Sequence, residues 1–175
     1  MKVVSATKVS VILTIIVMLS SCNKVSVSYS TTPSLKYNGL EVLKNKGKDS
    51  VINISLSYTD GDGDIGLNSS DTFPPFNFGS PYFYNLKVDY ISIENGIEVP
   101  VIIPLTSDTI NFNDRITVLT PTGKDKAISG DLTLHLGASP YPGLTPDSVF
   151  FRITLFDRSL KKSNQIVTPV IKLIL

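Results

Sequence analysis

Side chains that often carry chemistry or cross-links are scarce in this sequence. It contains one cysteine, one histidine and no tryptophan. A lone cysteine excludes both a disulfide within the chain and a thiolate zinc site. The lone His135 has no Gly-x-Ser-x-Gly sequence to accompany it, which argues against a serine-hydrolase triad. We therefore expect a protein that is not an enzyme.

Charge is also sparse, and its two signs balance. The 175 residues include 16 Lys or Arg and 15 Asp or Glu. A protein that binds nucleic acid needs a basic stripe to neutralise a run of phosphates, and none is present. This composition excludes nucleic acid as an expected partner.

The one long apolar run lies at the N-terminus. Lys2 and Lys8 come before the run Val9 to Leu19, and Ser20-Ser21-Cys22 follows it. The run is too short for the roughly 20 residues that cross a bilayer as a helix. A positive start, an apolar centre and small residues before a cysteine predict a lipoprotein signal peptide over residues 1–21, with lipid attached to Cys22. The membrane, reached through this lipid, is thus an expected partner.

The residues after Cys22 predict a tether and a location. Residues 22–34 are rich in Ser and Thr, and as a flexible chain they would span about 20 Å. Asn23 is not the aspartate that commonly retains lipoproteins in the inner membrane, and no acidic cluster directs the chain to the cell surface. We expect a bacterial envelope protein at the outer membrane, facing the periplasm, with a single domain over residues 35–175.

From Leu35 onward, apolar and polar residues alternate in short runs, and no helical period is sustained. Asn95-Gly96 is a strong signal for a two-residue hairpin. Alternation also places Val149, Phe151, Ile153 and Leu155 towards a core, and His135 towards solvent. The candidate strands are residues 35–43, 51–58, 84–93, 97–103, 115–119, 128–136, 148–156 and 166–174.

This spacing predicts an all-β chain folded as an antiparallel sandwich of seven to eight strands. The passage from Gly143-Leu144-Thr145-Pro146 into the aromatic strand at Phe150 resembles the corresponding passage in fibronectin type III domains. The resemblance implies an immunoglobulin-like, fibronectin type III-like sandwich.

The sharpest local motif is the sequence DGDGD, in which Asp60, Asp62 and Asp64 alternate with glycines. Glycines let a loop fold tightly enough for alternate carboxylates to converge on Ca²⁺. The motif is not an EF-hand, because Ile65 stands where that loop needs glycine. In an immunoglobulin-like sandwich, Asp157 would approach the same loop, giving a candidate calcium site of four aspartates. The alternative is a tight turn held by Asx hydrogen bonds, with no ion.

An aromatic segment follows this motif. Six aromatic residues fall within residues 73–84, which we predict to be a loop. Aromatic faces stack on sugar rings, so the segment is a candidate glycan or protein platform; the alternative is a hydrophobic plug over the open end of the sandwich. The candidate platform residues are Phe73, Phe76, Phe78, Tyr82 and Tyr84.

The sequence YTDGDGDIGL, the aromatic loop and the C-terminal passage FDRS together resemble a group of small Bacteroidota lipoproteins that has no assigned biochemical role. The resemblance covers most of the chain after Cys22. We expect a lipid-anchored binding or scaffolding module of the envelope with a protein or glycan partner. The alternative is a glycan-binding accessory protein of nutrient uptake.

Overall fold

The computed structural model describes residues 28–119 and 126–175. The predicted signal peptide (residues 1–21) and Cys22 lie outside the described residues. In the part that is described, no helix is long and apolar enough to cross a membrane. The strands are β1 (Ser34–Asn45), β2 (Lys48–Asp60), β3 (Leu86–Glu94), β4 (Ile97–Pro100), β5 (Ile128–Gly137), β6 (Ser148–Leu155), β7 (Ile166–Val167) and β8 (Ile171–Lys172).

The strands form two antiparallel sheets, which confirms the predicted β-sandwich. One sheet has the order β1-β2-β5, and the other has the order β4-β3-β6-β7, with β8 also paired to β6. The first, second and fifth strands thus lie opposite the third, fourth and sixth. This is the division of strands between sheets that an immunoglobulin-like sandwich shows.

Alternating apolar residues build the core between the sheets. On β2, Ile52, Ile54 and Leu56 are fully buried, and on β6 Phe151 and Ile153 are as well. Full burial of one such side chain stabilises the fold by about 1.5–3 kcal/mol. The outward face of β6 is covered too, because Phe150 and Thr154 are buried although neither belongs to the core cluster.

Tyr90 on β3 fills the centre of the sandwich, where immunoglobulin domains commonly place a tryptophan. Its ring packs edge-on against Phe151, with 5.5 Å between the ring centroids. Its hydroxyl donates a hydrogen bond to the carbonyl of Ala138, just beyond β5 in the other sheet, at 3.0 Å. Burial raises the pKa of Tyr90 to about 12. One side chain therefore ties the two sheets together through a ring contact and a polar contact.

The structure confirms the predicted Asn95-Gly96 hairpin turn and the predicted exposure of His135. Asn95 and Gly96 form the β3–β4 turn with φ of 53° and 78°, the left-handed conformation that the hairpin signal requires. His135 is exposed while Leu134 and Leu136 are buried, as alternation predicts. Its Nδ1 lies 2.7 Å from Asn53 Oδ1 on the neighbouring strand β2.

Three of the predicted strands differ in the structure: prolines interrupt two of them, and the third is absent. The strand predicted over residues 97–103 ends at Pro100, which has no N–H to donate. The strand predicted over residues 166–174 is divided into β7 and β8, with Pro169 between them. The strand predicted over residues 115–119 is wrong. There the backbone of Ile116 bonds to the side chain of Asn85, at 2.7 Å from N–H to Oδ1, instead of joining a ladder.

The strand directions bring the end of β2, the start of β3 and the end of β6 to the same end of the sandwich. Residues after β2 and β6 meet there through a β-bridge between Ile65 and Asp157. The β1–β2 turn and the β3–β4 hairpin lie at the opposite end. The end reached by β2 and β6 carries both sequence motifs, DGDGD and the aromatic segment.

Candidate functional site

Four aspartates converge at this end of the sandwich, which we call the acidic pole: Asp60, Asp62, Asp64 and Asp157. Each contributes one carboxylate oxygen to a group in which all oxygens lie within 4.8 Å of one another. Asp60 is the last residue of β2, and Asp157 follows β6 after one residue. The two sheets therefore supply opposite sides of the group.

Every carboxylate of the acidic pole has one oxygen engaged in the surrounding turns. Asp60 Oδ2 accepts the N–H of Asp64 at 3.0 Å. Asp157 Oδ1 accepts the N–H of Lys161 at 2.8 Å, and Asp62 Oδ2 receives the Lys161 ammonium at 2.6 Å. Asp64 Oδ2 accepts both the N–H and the hydroxyl of Ser159, at 3.1 Å and 2.7 Å. The bonds of Asp60 and Asp157 are local turn bonds of the kind that the sequence predicted as an alternative to an ion, whereas those of Asp62 and Asp64 join the two loops.

The second oxygen of each carboxylate is buried and accepts no hydrogen bond from any residue that the structure describes. These oxygens are Asp60 Oδ1, Asp62 Oδ1, Asp64 Oδ1 and Asp157 Oδ2. Asp60 and Asp157 are 0% and 1% exposed, so water does not solvate them. A buried charged acceptor without a partner costs several kcal/mol, and here four lie together. Hydrogen bonds within the protein thus account for only half of the oxygens at this pole.

Ionisation of this group is perturbed in the way that crowding predicts. Burial, with smaller contributions from the charges of Asp62 and Asp64 and from a side-chain hydrogen bond to Asp62, raises the pKa of Asp60 to about 6, although the N–H of Asp64 acts in the opposite direction. Burial also raises the pKa of Asp157. Burial acts in the same direction on Asp62, but the hydrogen bond and the charge of Lys161 outweigh it, so the pKa of Asp62 is lowered. The protein holds these carboxylates at an electrostatic cost.

Glycines permit the tight packing of the acidic loop. Gly63 adopts a φ of 63°, which glycine tolerates without strain. Gly61 lies against the segment that enters the domain: its N–H donates to the carbonyl of Ser30 at 2.7 Å, and a Cβ there would overlap the carbonyl of Tyr29. Lys161 Nζ also donates to the carbonyl of Thr31, at 2.7 Å. Residues of the predicted tether therefore lie against the acidic pole.

The turn after β6, residues 157–161, supplies two basic side chains whose roles differ. Lys161 contacts the acidic pole directly, through Asp62. Arg158 instead forms a two-pronged ion pair with Asp71, at 2.5 Å and 3.2 Å, which lowers the pKa of Asp71. Nothing in the spacing of the sequence singles out Lys161. The only signal is that a basic run follows Asp157.

The aromatic loop, residues 68–84, is held in place by one arginine. Arg115 donates hydrogen bonds to four backbone carbonyls of this loop, those of Asn68, Asp71, Phe76 and Phe83, at distances from 2.7 to 3.4 Å. Its guanidinium also lies over the ring of Phe83, 4.8 Å from the centroid. A planar fork with several donors suits this task better than an ammonium. Sequence analysis had placed Arg115 in a strand and missed it.

The aromatic residues of the loop fall into two groups. Phe76 lies beneath the guanidinium of Arg158, and Tyr82 packs edge-on against Phe156 with 5.6 Å between centroids. Phe73 and Phe78 are 78% and 82% exposed. Tyr84 is half-buried and packs on Phe83. One part of the loop thus covers the end of the sandwich, and another part exposes the rings of Phe73 and Phe78.

Comparison with known proteins gives no match: no protein-family profile, curated protein or solved structure resembles this chain at a significant level. The function must therefore be argued from the geometry of the acidic pole and the aromatic loop.

Proposed function

We propose that this chain is a lipid-anchored, non-enzymatic β-sandwich of the bacterial envelope that acts as a binding module, and that its acidic pole holds a Ca²⁺ ion. Two observations carry the proposal: the four aspartates converge, with one carboxylate oxygen of each within 4.8 Å of the others, and one buried oxygen of each has no hydrogen-bond partner among the described residues. A cation placed among these oxygens would supply the attraction that the protein does not.

The donor set favours a hard cation. All four candidate ligands are carboxylate oxygens, whereas zinc and copper prefer sites with nitrogen or sulfur. Ca²⁺ binds oxygens at about 2.3–2.6 Å, so opposite ligands of one ion stand about 5 Å apart. The oxygens of the acidic pole lie within 4.8 Å of one another, which fits that span. Mg²⁺ needs shorter bonds and a stricter octahedron.

The bonded oxygens of the same carboxylates support this arrangement. Those of Asp60, Asp64 and Asp157 accept backbone N–H groups, and that of Asp62 accepts the Lys161 ammonium, so the carboxylates are positioned before an ion arrives and little ordering entropy remains to be lost. Lys161 holds Asp62 through Oδ2 and leaves Oδ1 free to bind, so the ammonium and the ion do not compete for the same oxygen. Asp62 would bridge the two.

A glycan-binding role has less support than this cation-bound module. Of the five aromatic residues considered for such a platform, only Phe73 and Phe78 are well exposed. Phe76 and Tyr82 pack against Arg158 and Phe156, so their faces are occupied within the domain. Two exposed rings make a smaller stacking surface for a sugar than a platform of five would.

Calorimetric titration of residues 23–175 with Ca²⁺ tests the proposal. We expect saturable binding that is lost in Asp60→Asn, because Asp60 is fully buried, belongs to the acidic pole and has an Oδ1 without a hydrogen-bond partner among the described residues. Asp131→Asn is the matched control, since this aspartate is exposed on β5 and lies outside the acidic pole. Absence of heat at millimolar Ca²⁺, or equal binding by Asp60→Asn, would contradict a calcium site.

A further inference from the structure

We infer that the aromatic loop is a second membrane contact: Phe73 and Phe78 rest in the headgroup region of the same bilayer that holds the lipid on Cys22. This inference rests on the proposed lipid anchor. It adds a surface of the domain itself, and a lipid partner for that surface, to the anchor.

The connection between Cys22 and the acidic pole is short. The backbone of Ser30 is hydrogen-bonded to Gly61, and that of Thr31 to Lys161. Only residues 23–29 separate Cys22 from this attachment, and even fully extended they reach about 25 Å. β2 alone has 13 residues and is about 43 Å long at 3.3 Å per residue. The acidic pole therefore lies within about 25 Å of the bilayer, which is less than the length of β2, so the opposite end with the β3–β4 hairpin cannot be the end on which the domain stands.

The aromatic loop lies beside the attachment of Ser30 and Thr31. The turn of residues 157–161 contacts both: Lys161 bonds to Thr31, and Arg158 pairs with Asp71 and lies over Phe76. One five-residue turn thus links the entering chain to the aromatic loop. The loop shares the membrane-facing end and cannot lie on the distal side.

The surface of the aromatic loop is uncharged and carries exposed aromatic rings. Residues 72–84 contain no charged side chain, although they form part of an exposed loop. The exposed positions within them are Thr72, Phe73, Pro74, Pro75, Phe78, Gly79 and Pro81. Uncharged segments with protruding aromatic rings are favourable at the boundary between headgroups and acyl chains, and costly in water. A lipid surface matches this composition without any further partner.

The loop is also stiff enough to present its rings. Arg115 fixes four of its carbonyls, and the ring of Phe83 lies between Arg115 and the exposed Phe78, with 5.2 Å between the Phe78 and Phe83 centroids. An ordered loop loses little conformational entropy when it docks. The expected contact is shallow, limited to ring depth.

A tryptophan probe tests this contact, because the chain has no tryptophan of its own. Full-length Phe78→Trp, purified from membranes and reconstituted into phosphatidylethanolamine–phosphatidylglycerol vesicles, is compared with Ile97→Trp. Ile97 is a matched control because it is 66% exposed but belongs to the β3–β4 hairpin at the far end. With lipids brominated near the headgroup, the probe at position 78 should lose about half of its emission, because it lies at the headgroup–acyl boundary. The probe at position 97 should lose none.

Flotation of the vesicles in the same experiment separates the two proposals. If the protein floats and neither probe is quenched, or both are quenched equally, the anchor stands and the aromatic contact is overturned. If emission at position 78 shifts to the blue without quenching, a second copy or another protein covers the loop, and the inference is equally overturned. If the protein does not float, the lipid anchor fails, and the inference fails with it. Phe73→Trp, read in the same way, guards against a fold defect specific to position 78.

Discussion

At the scale of single residues, the two oxygens of each carboxylate have different environments, and this difference distinguishes the acidic pole from an ordinary turn. Asp60 and Asp157 each give one oxygen to a backbone N–H and keep the other buried and unpartnered among the described residues. An Asx turn needs only the first of these oxygens. The orientation of the unpartnered oxygen does not stabilise the turn, but it would allow that oxygen to bind an ion.

The raised pKa of Asp60 predicts how the cation-free protein responds to pH. Its folded pKa of about 6 lies above the ordinary value of 3.8, so the folded state holds a proton that the unfolded chain has already released. In the presence of chelator, this group should lower the stability by up to about 3 kcal/mol as the pH rises from about 4 to about 6. The loss is complete above the folded pKa.

Denaturant unfolding of the wild type and of Asp60→Asn across this pH range measures the contribution of Asp60, as the difference between their free energies of unfolding. Subtraction removes the opposite contribution of Asp71, whose pKa is lowered by the hydrogen bond from Arg158. With saturating Ca²⁺ the sign should reverse, because the ion binds the ionised carboxylate. A difference that does not change with pH would show that Asp60 is not protonated in the folded protein.

At the scale of elements, the aromatic loop depends on Arg115 for its shape. Arg115→Lys keeps the charge but cannot reach four carbonyls, so we expect destabilisation of about 1–3 kcal/mol and faster proteolysis within residues 68–84. Limited proteolysis followed by mass spectrometry locates the cuts.

Arg152→Lys is the control for this change. Arg152 forms an ion pair with Glu98 on the sheet surface, where such pairs contribute about 0–1 kcal/mol. Cleavage rates within the loop that are the same in both variants would show that the loop is held by its own packing and not by Arg115.

The sequence predicted those elements whose pattern is local. Alternation located β2 and β6, and the hairpin signal at Asn95-Gly96 fixed the β3–β4 turn. The proximity of Asp157 to the DGDGD motif followed from the immunoglobulin-like topology that the resemblance implied, because that topology brings those two loops to the same end of the sandwich.

The interactions that sequence reasoning missed are side-chain contacts over long separations. Lys161 reaches Asp62 across 99 positions, and Arg115 reaches Asn68 across 47. Asn85 takes the place of a strand partner for Ile116. No periodicity marks such residues, since each acts once and its partner is defined only after folding.

At the scale of the whole molecule, the acidic pole joins the two sheets. Asp60 ends β2 in the three-stranded sheet, and Asp157 follows β6 in the five-stranded sheet. An ion bound by both would act on global unfolding and not only on one loop. Tyr90 makes the equivalent connection in the middle of the sandwich.

Saturation with Ca²⁺ should therefore raise the melting temperature of the whole domain. A concentration of 100 times the dissociation constant adds about 2.7 kcal/mol, which corresponds to roughly 5–10 °C for a domain of this size. Differential scanning calorimetry should show a single transition that moves as a unit, with Asp131→Asn behaving like the wild type. A transition that stays in place while only the loop amides gain protection would limit the effect of the ion to the acidic pole.

The hydrogen bond between Gly61 and Ser30 bears on how mechanical load would enter the protein. Under the proposed anchor at Cys22, a pull between the N-terminus and the far end of the sandwich would first load the contacts of Ser30 and Thr31, and then act along the axis of β1, which begins at Ser34. Because β1 pairs with β2 over its whole length, a force along that axis would shear the ladder instead of opening it one pair at a time. Such an attachment would suit a protein held under tension.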